Sequence, residues 1–375
     1  MRPINIEDFR QKARRRLPRF VFDYLDGGAE DEVSLRANRA AFERIRLLPS
    51  LLNDVATRDQ GVDCLGSRLP TPLIIAPTGL NGLFQRDGDV VMARAAARCG
   101  IPFVLSTAST NAIEAVAERA GGELWFQLYV MGRSIADRLV ERAAAAGYRH
   151  LVLTADVPLG GKRERDERNG FGVPFRVTPR IALDVLRRPR WLWQVGRHGA
   201  PPMGNLASET ATDSETQAAL LSRKMDASYS WDDLKRLRDR WAGRLLVKGL
   251  LDPADVERAF AAGVDAVILS NHGGRQLDGA PAPIEMLAEA GRRARGPLLL
   301  DSGVRRGADV VKALALGARA VLIGRAALYG LAVGGEDGVV AVVAMLKGEI
   351  DRVLGLLGCG SAAALGPSCI RPHPA

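Results

Sequence analysis

Eight short apolar runs, each ending in polar or glycine residues and each followed by a stretch at helical spacing, divide the chain between residues 73 and 325. They are Leu73–Pro77, Phe103–Thr107, Leu124–Tyr129, Leu151–Asp156, Leu245–Gly249, Val267–His272, Leu298–Gly303 and Ala320–Arg325. Runs this short and this continuously apolar read as strands buried on both faces, which requires a parallel sheet covered by helices. The intervening helices carry start and stop signals. Asp87–Cys99 begins on an acid and stops at Gly100, and Asp252–Ala262 has Pro253 in its first turn and Gly263 after its end. Eight such units predict an α/β fold, a closed (β/α)8 TIM barrel. An open doubly wound sheet is the alternative, but it does not need eight units and no early GxGxxG is present.

The spacing of the strand ends exposes one irregularity. They fall near 77, 107, 129, 156, 250, 272, 303 and 325, so six gaps run from 22 to 31 residues and one is 94. Roughly 65 residues are therefore inserted after strand 4, on the side where barrel active sites form. The expected organisation is a single domain over residues 1–375. Residues 1–68 form an N-terminal helical extension, and about 171–230 an inserted basic loop.

Apolar residues at 47% and charged residues at 25% exclude wholesale disorder. No run reaches the ~18 apolar residues of a spanning helix, and the N-terminus shows no apolar signal core. Cys64, Cys99, Cys359 and Cys369 form no CxxC pair, which points to a reducing cytoplasm and against a metal site. The net charge of +9 leaves nucleic acid, anionic lipid or an acidic substrate open as partners. Its distribution narrows them. Residues 1–20 and 171–200 carry +5 each and the other 325 residues −1, so the barrel is near neutral. With 5% aromatics and no binding motif, a nucleic-acid groove is not expected.

Polar residues collect at the strand ends. They are Pro77, Thr78 and Gly79; Ser106 and Thr107; Gln127 and Tyr129; Thr154 and Asp156; Lys248; Ser270, Asn271 and His272; Asp301, Ser302, Gly303 and Arg305; Gly324 and Arg325. Singly, residues such as Thr107 or Ser302 read equally well as helix caps. Together they describe a pocket for one large polar ligand and a small substrate. Glycines and arginines in DSGVRRG and LIGRA follow strands 7 and 8, the usual phosphate site of a barrel, so a phosphate-bearing cofactor is expected. In SNHGGRQLDG, His272 is one of four histidines and stands at the catalytic end with Asp156 available from strand 4. That set offers a general base, a carboxylate to orient it, and an anion clamp in Arg275. Arg163 in GGKRERDERNG reads as a second clamp or as part of a solvated charge run.

These strings, with FDYLDGGAEDE, APTGLNG, WFQLY and LLVKGLL, closely resemble the FMN-dependent α-hydroxy-acid dehydrogenase and oxidase family, nearly end to end. The resemblance implies FMN and oxidation of an (S)-2-hydroxy acid to the 2-oxo acid. It implies that His272 is the base, supported by Asp156, and that Arg163 and Arg275 hold the substrate carboxylate. Tyr24 and Tyr129 would line the substrate site. Pro77, Thr78, Gly79, Ser106, Gln127 and Thr154 would bind the isoalloxazine, with Ser270 facing it and Lys248 at its N1–C2 edge. Asp301, Gly303, Arg305, Gly324 and Arg325 would hold the ribityl phosphate.

Within the family, Gly79 replaces the alanine usual in the oxidases, which favours a dehydrogenase. Ala108 stands where glycolate oxidase has a bulky aromatic, leaving room for a phenyl-sized group. The strings APTGLNG, ALLSRKMDASYSW and GGKRERD look most like the mandelate dehydrogenase branch; flavin L-lactate dehydrogenases come next, and an oxygen-using oxidase is a further alternative. Residues 180–199 mix five arginines with Trp191 and Trp193, a composition suited to a lipid headgroup interface. A basic lid, or a loop packed on a neighbouring subunit, is the other reading. By resemblance the segment attaches the enzyme to the cytoplasmic face of the inner membrane and passes electrons to a membrane quinone or similar acceptor. A homotetramer is implied in the same way. Excision of 178–215 is then expected to leave a soluble, active enzyme.

Overall fold

The computed structural model describes residues 3–171, 178–199, 201, 203–205 and 225–372. Eight parallel strands close into a barrel: β1 (Leu73–Ile75), β2 (Phe103–Ser106), β3 (Leu124–Leu128), β4 (His150–Thr154), β5 (Arg244–Leu250), β6 (Ala266–Leu269), β7 (Leu298–Leu300) and β8 (Ala318–Ile323). They pair in sequence order, and β8 closes the ring on β1 through Val321 opposite Leu73. The expected TIM barrel is therefore the observed fold. Register aligns the ends that matter: Ser106 lies opposite Gln127, and Thr154 opposite Lys248.

The apolar strand residues are almost all buried because the barrel interior faces them on one side and the helical ring on the other. The helix expected from Asp87 runs Gly88–Cys99, and Gly100 beyond it has φ +68, a left-handed turn that ends the helix without a Cβ penalty. The second expected helix runs Pro253–Ala261, and the Asp252 carboxylate caps it by accepting from the Ala254 N–H. The last helix, Arg325–Leu357, is broken at Gly334 and Gly335.

Before the barrel come helices Ile6–Arg16, Arg19–Asp26 and Val33–Glu43, then the hairpin Val62–Cys64 with Ser67–Leu69. The first helix buries Ile6, Phe9 and Ala13 on one face and ends in Arg14, Arg15 and Arg16. Strand Ile45–Leu47 pairs antiparallel with Ile370–Pro372, tying the N-terminal arm to the tail. Between β4 and β5 lie helices Glu164–Arg168, Pro179–Leu186 and Pro189–His198, followed by Trp231–Arg240 in the position of the regular crossover helix. Parts of the expected insertion (172–177, 200, 202 and 206–224) fall outside the described residues. No described helix is long and apolar enough to cross a membrane.

Two expectations for the insertion change. Trp191 does not face outward: it is 8% exposed, its indole N–H donates to the Leu83 carbonyl at 2.8 Å, and it meets Phe20 edge-on at 5.7 Å. Only Trp193, 64% exposed, remains for a surface role. Excision of 178–215 is no longer expected to be harmless, because Met203 and Asn205 are built into the barrel mouth.

Candidate active site

The strand ends converge on a cavity of about 320 Å³ at the C-terminal mouth of the barrel. Tyr24, Pro77, Thr78, Gly79, Ala108, Tyr129, Arg163, Lys248, His272, Arg275, Asp301, Gly303, Arg305, Gly324 and Arg325 all line it. Ser106, Gln127, Thr154 and Ser270 are buried residues of the strand ends outside that lining. Asp156 reaches the cavity through His272. The expected site residues are thus brought together from every barrel strand and from the N-terminal arm.

His272 has φ +58, a strained conformation for a residue with a side chain. It is held there by its surroundings. Its backbone N–H donates to Ser270 Oγ at 2.9 Å, and the next N–H, of Gly273, donates to Ser302 Oγ at 2.9 Å. Its Nδ1 lies 2.9 Å from Asp156 Oδ1 and its Nε2 3.1 Å from the Tyr129 hydroxyl. A carboxylate only accepts, so Nδ1–H donates to Asp156 and Nε2 is left as the basic nitrogen, accepting from Tyr129. Burial pushes the His272 pKa below its ordinary value; Asp156 opposes this, while Lys248 and Arg163 add to it. Burial also raises the Tyr129 phenol, so it stays protonated. The site presents a neutral, oriented imidazole.

Beside it, Lys248 Nζ donates to Ser270 Oγ at 2.9 Å and lies 2.9 Å from Asp301 Oδ2, and Ser270 Oγ–H donates to Asp301 at 2.7 Å. Burial would lower the lysine, but Asp301 and Asp156 outweigh it and hold the ammonium charged. Burial would raise Asp301, and Lys248 keeps it ionised. Asp301 therefore belongs to this buried ion pair.

The arginines form a separate group. Arg275 donates to the carbonyls of Tyr24 and Gly27, both at 2.8 Å, and its guanidinium sits 5.1 Å from the Tyr24 ring centroid. Arg325 donates to Gly273 O and Gly27 O. Burial, Arg275 and Arg305 lower its pKa to about 10. Three cations this close favour an anion among them.

A cofactor is tested by what the cavity leaves unsatisfied. Gln127 Nε2, Thr154 Oγ1, Asp156 Oδ2 and Arg325 Nε are buried without a hydrogen-bond partner. Buried polar atoms are seldom left so; Arg325 lines the cavity, Asp156 reaches it through His272, and Gln127 and Thr154 stand at strand ends outside its lining. A Cβ on Gly324 would meet nothing closer than 3.7 Å, so backbone there is open to close approach. Donors and acceptors along one wall with a cationic end fit a flavin mononucleotide, polar ring edge at one end and phosphate at the other.

The sequence did not reveal the remaining wall. Phe171 stacks on Tyr24 at 4.6 Å, and Met203 and Met225 complete an apolar side. These residues come from the insertion; Met225 falls within the ALLSRKMDASYSW string, but no period or motif marks Phe171 or Met203.

Residues 13–372 match the family described as FMN-dependent dehydrogenase. The chain is 51% identical over 367 residues to the (S)-mandelate dehydrogenase of Pseudomonas putida, covering 98% of this chain and 93% of that protein. A putative L-lactate dehydrogenase of Mycobacterium tuberculosis is 43% identical over 370 residues, covering 97% and 88%. A crystal structure of the monotopic membrane protein (S)-mandelate dehydrogenase superposes with a TM-score of 0.97 at 50% identity, covering 99% and 100% of the two chains. By sequence, by structure and by the unsatisfied groups of its cavity, the chain belongs to the FMN-dependent dehydrogenase family.

Proposed function

We propose that this protein oxidises an (S)-2-hydroxy acid with an aromatic side chain, of the mandelate class, to the 2-oxo acid, with FMN as cofactor. The observation that carries the reading is the Asp156–His272–Tyr129 relay facing a cavity that joins two guanidiniums to an apolar wall. Arg163 and Arg275 bind the substrate carboxylate, since a guanidinium offers paired donors to its two oxygens. Tyr24 and Tyr129 orient the substrate from either side. His272 Nε2 takes up the substrate proton, and Asp156 stabilises the imidazolium that results. Bound FMN supplies the acceptor for the electron pair. Gln127, Thr154, Ser106 and residues 77–79 would hold its ring, with Lys248 as a fixed positive charge beside it. Gly303, Arg305, Gly324 and Arg325 would hold the phosphate. Asp301, ionised beside Lys248, suits the ribityl hydroxyls, because a carboxylate accepts from hydroxyls and repels a phosphate.

The substrate class rests on the small Ala108 and Gly79 lining the same cavity as Phe171, Met203 and Met225. Flavin spectra and kcat/KM for (S)-mandelate and L-lactate test it. Bleaching of a yellow protein with mandelate preferred is expected; a strong lactate preference overturns the aromatic assignment in favour of the lactate branch. Fast reoxidation by oxygen would refute the dehydrogenase reading.

Membrane docking is part of the proposal. Helices Pro179–Leu186 and Pro189–His198 expose Leu183, Leu186, Leu192 and Trp193. Trp191 and the Arg188 bond to the Leu17 carbonyl hold their other side to the body. Arg197 lies 5.4 Å from the Trp193 ring centroid. Exposed leucines and a tryptophan among arginines suit an anionic lipid surface on the cytoplasmic side, with a membrane quinone as acceptor.

A further inference from the structure

The loop after β2 carries Ala108 into the cavity and faces Gly79 on the loop after β1. The two loops nearly touch: a Cβ on Gly79 would stand 3.0 Å from Ala108 Cβ, and the Leu80 N–H donates to the Ala108 carbonyl at 2.9 Å. Their separation therefore sets the room left for a substrate side chain.

Two buried polar residues grip this loop from opposite sides, and neither touches the cavity. Asp89, fully buried in the first turn of helix Gly88–Cys99, accepts through Oδ2 from the Thr110 N–H (2.8 Å), the Thr110 hydroxyl (2.7 Å) and the Asn111 N–H (3.2 Å). Its Oδ1 accepts from Asn81 Nδ2 at 2.8 Å, and Asn81 in turn accepts from the Thr78 hydroxyl at 2.9 Å. One carboxylate thus ties the β1 loop to the β2 loop. From the other side, Asn205 Nδ2 donates to Ser106 O, Thr107 O and Ser109 Oγ at 3.0, 3.3 and 2.9 Å, and Oδ1 accepts from the Ile113 N–H at 2.8 Å. Asn205 belongs to the insertion. The same short segment supplies Met203 to the cavity wall.

We propose that Asp89 and Asn205 are positioning residues that clamp the Ser106–Ile113 loop and so determine which side-chain sizes the substrate cavity accepts. The inference rests on the 2-hydroxy-acid reading above and assigns the device that tunes it. The surroundings are consistent with a fixed strut. Burial raises the Asp89 carboxyl to about 6, and Thr110, Asn111 and Asn81 oppose the shift through their hydrogen bonds. Every donor around it demands an acceptor, so an amide in its place turns one NH2 against donors. The clamp also makes the inserted segment part of the specificity apparatus as well as a surface device.

The test uses Asp89→Asn and Asn205→Asp in the FMN-loaded full chain. Each variant is assayed with (S)-mandelate and with L-lactate, alongside the flavin absorption spectrum. The kcat/KM ratio of the large to the small substrate is expected to fall at least about 10-fold, mainly through KM for mandelate, with flavin retained; remote misplacements of about 1 Å cost up to about 100-fold. Lactate, with only a methyl side chain to accommodate, should change little. Thr110→Val, which removes only the hydroxyl bonds to Asp89 and from Gly82 N–H, should shift the ratio the same way and serves if either amide-carboxylate exchange does not fold. A ratio unchanged within about twofold, or equal losses on both substrates, overturns the clamp. The wild-type ratio judges the substrate reading separately, since the clamp is scored only on the change from it.

Discussion

Gly249 tests the catalytic pair without replacing either member. It sits in β5 at φ +106, where the pairing with β6 shifts register between Lys248 and Leu250. A Cβ there would lie 2.6 Å from both Cβ and Cγ of Asp156 and 2.9 Å from its backbone N. Gly249→Ala therefore forces Asp156 away by roughly 1 Å, since carbon atoms pack at about 3.5–4.0 Å. The 2.9 Å bond to His272 Nδ1 cannot survive such a shift. Breaking a buried charge pair costs about 3–5 kcal/mol, or about 10²- to 10⁴-fold in kcat/KM if the pair forms in the transition state. The positive φ adds about 1–3 kcal/mol of backbone strain to the folded state. Stability by denaturant titration, flavin absorption and kcat/KM are measured on Gly249→Ala, Asp156→Ala and the double variant. With the Asp156 carboxylate already removed there is no bond to His272 left to displace, so the two activity losses should be far from additive, even though Cβ and the backbone N of residue 156 still crowd the new methyl. Wild-type kcat/KM in folded, flavin-bound Gly249→Ala, or fully additive losses, would refute the reasoning.

Three further outcomes follow. The acid limb of kcat/KM should have its midpoint below 6.5, because the base form of His272 is required and burial, Lys248 and Arg163 lower its pKa against Asp156; Asp156→Asn should move the midpoint lower still, and a midpoint above 6.5 contradicts the assignment. Asp26 accepts from Arg10 at 2.6 and 2.8 Å and from the Tyr329 hydroxyl at 2.7 Å. Burial would raise its pKa, but Arg10 and Tyr329 bring it down to about 2, so it contributes about 2 kcal/mol above the ordinary carboxylate range that is lost as pH falls through about 4 to 2. Asp26→Asn should remove that acid-sensitive portion of the denaturant-measured stability. Finally, replacing Leu183, Leu186 and Trp193 by serine should abolish sedimentation with anionic vesicles and leave kcat unchanged, whereas unchanged partition would count against the anchor.

Much of the site was legible because a barrel turns chain order into geometry. Once eight apolar runs are counted, the residue after each run must point to one rim, so His272, Asp156, Lys248 and Arg325 were expected around one cavity: His272, Lys248 and Arg325 line it, and Asp156 joins it through His272. Tyr24 was legible only through resemblance, since nothing in a short amphipathic helix announces that it crosses the barrel mouth. Phe171, Met203 and Asn205 were not legible at all: they lie in an insertion with no repeating period, and long-range packing selects their neighbours. Trp191 shows the same limit. Composition marked it as interfacial, but its indole found the Leu83 carbonyl and an aromatic pocket.

The sequence by itself determined the barrel, the rim residues and the location of the excess positive charge, because strand periodicity, turn residues and charge are local properties. Tertiary structure alone decided which rim residues pair. It joined Asp301 to Lys248 rather than to the arginines, set Gly249 against Asp156, and locked the insertion onto the β2 loop through Asn205. Those outcomes depend on burial, where a polar atom takes the partner that packing brings within reach, and no linear pattern encodes that choice.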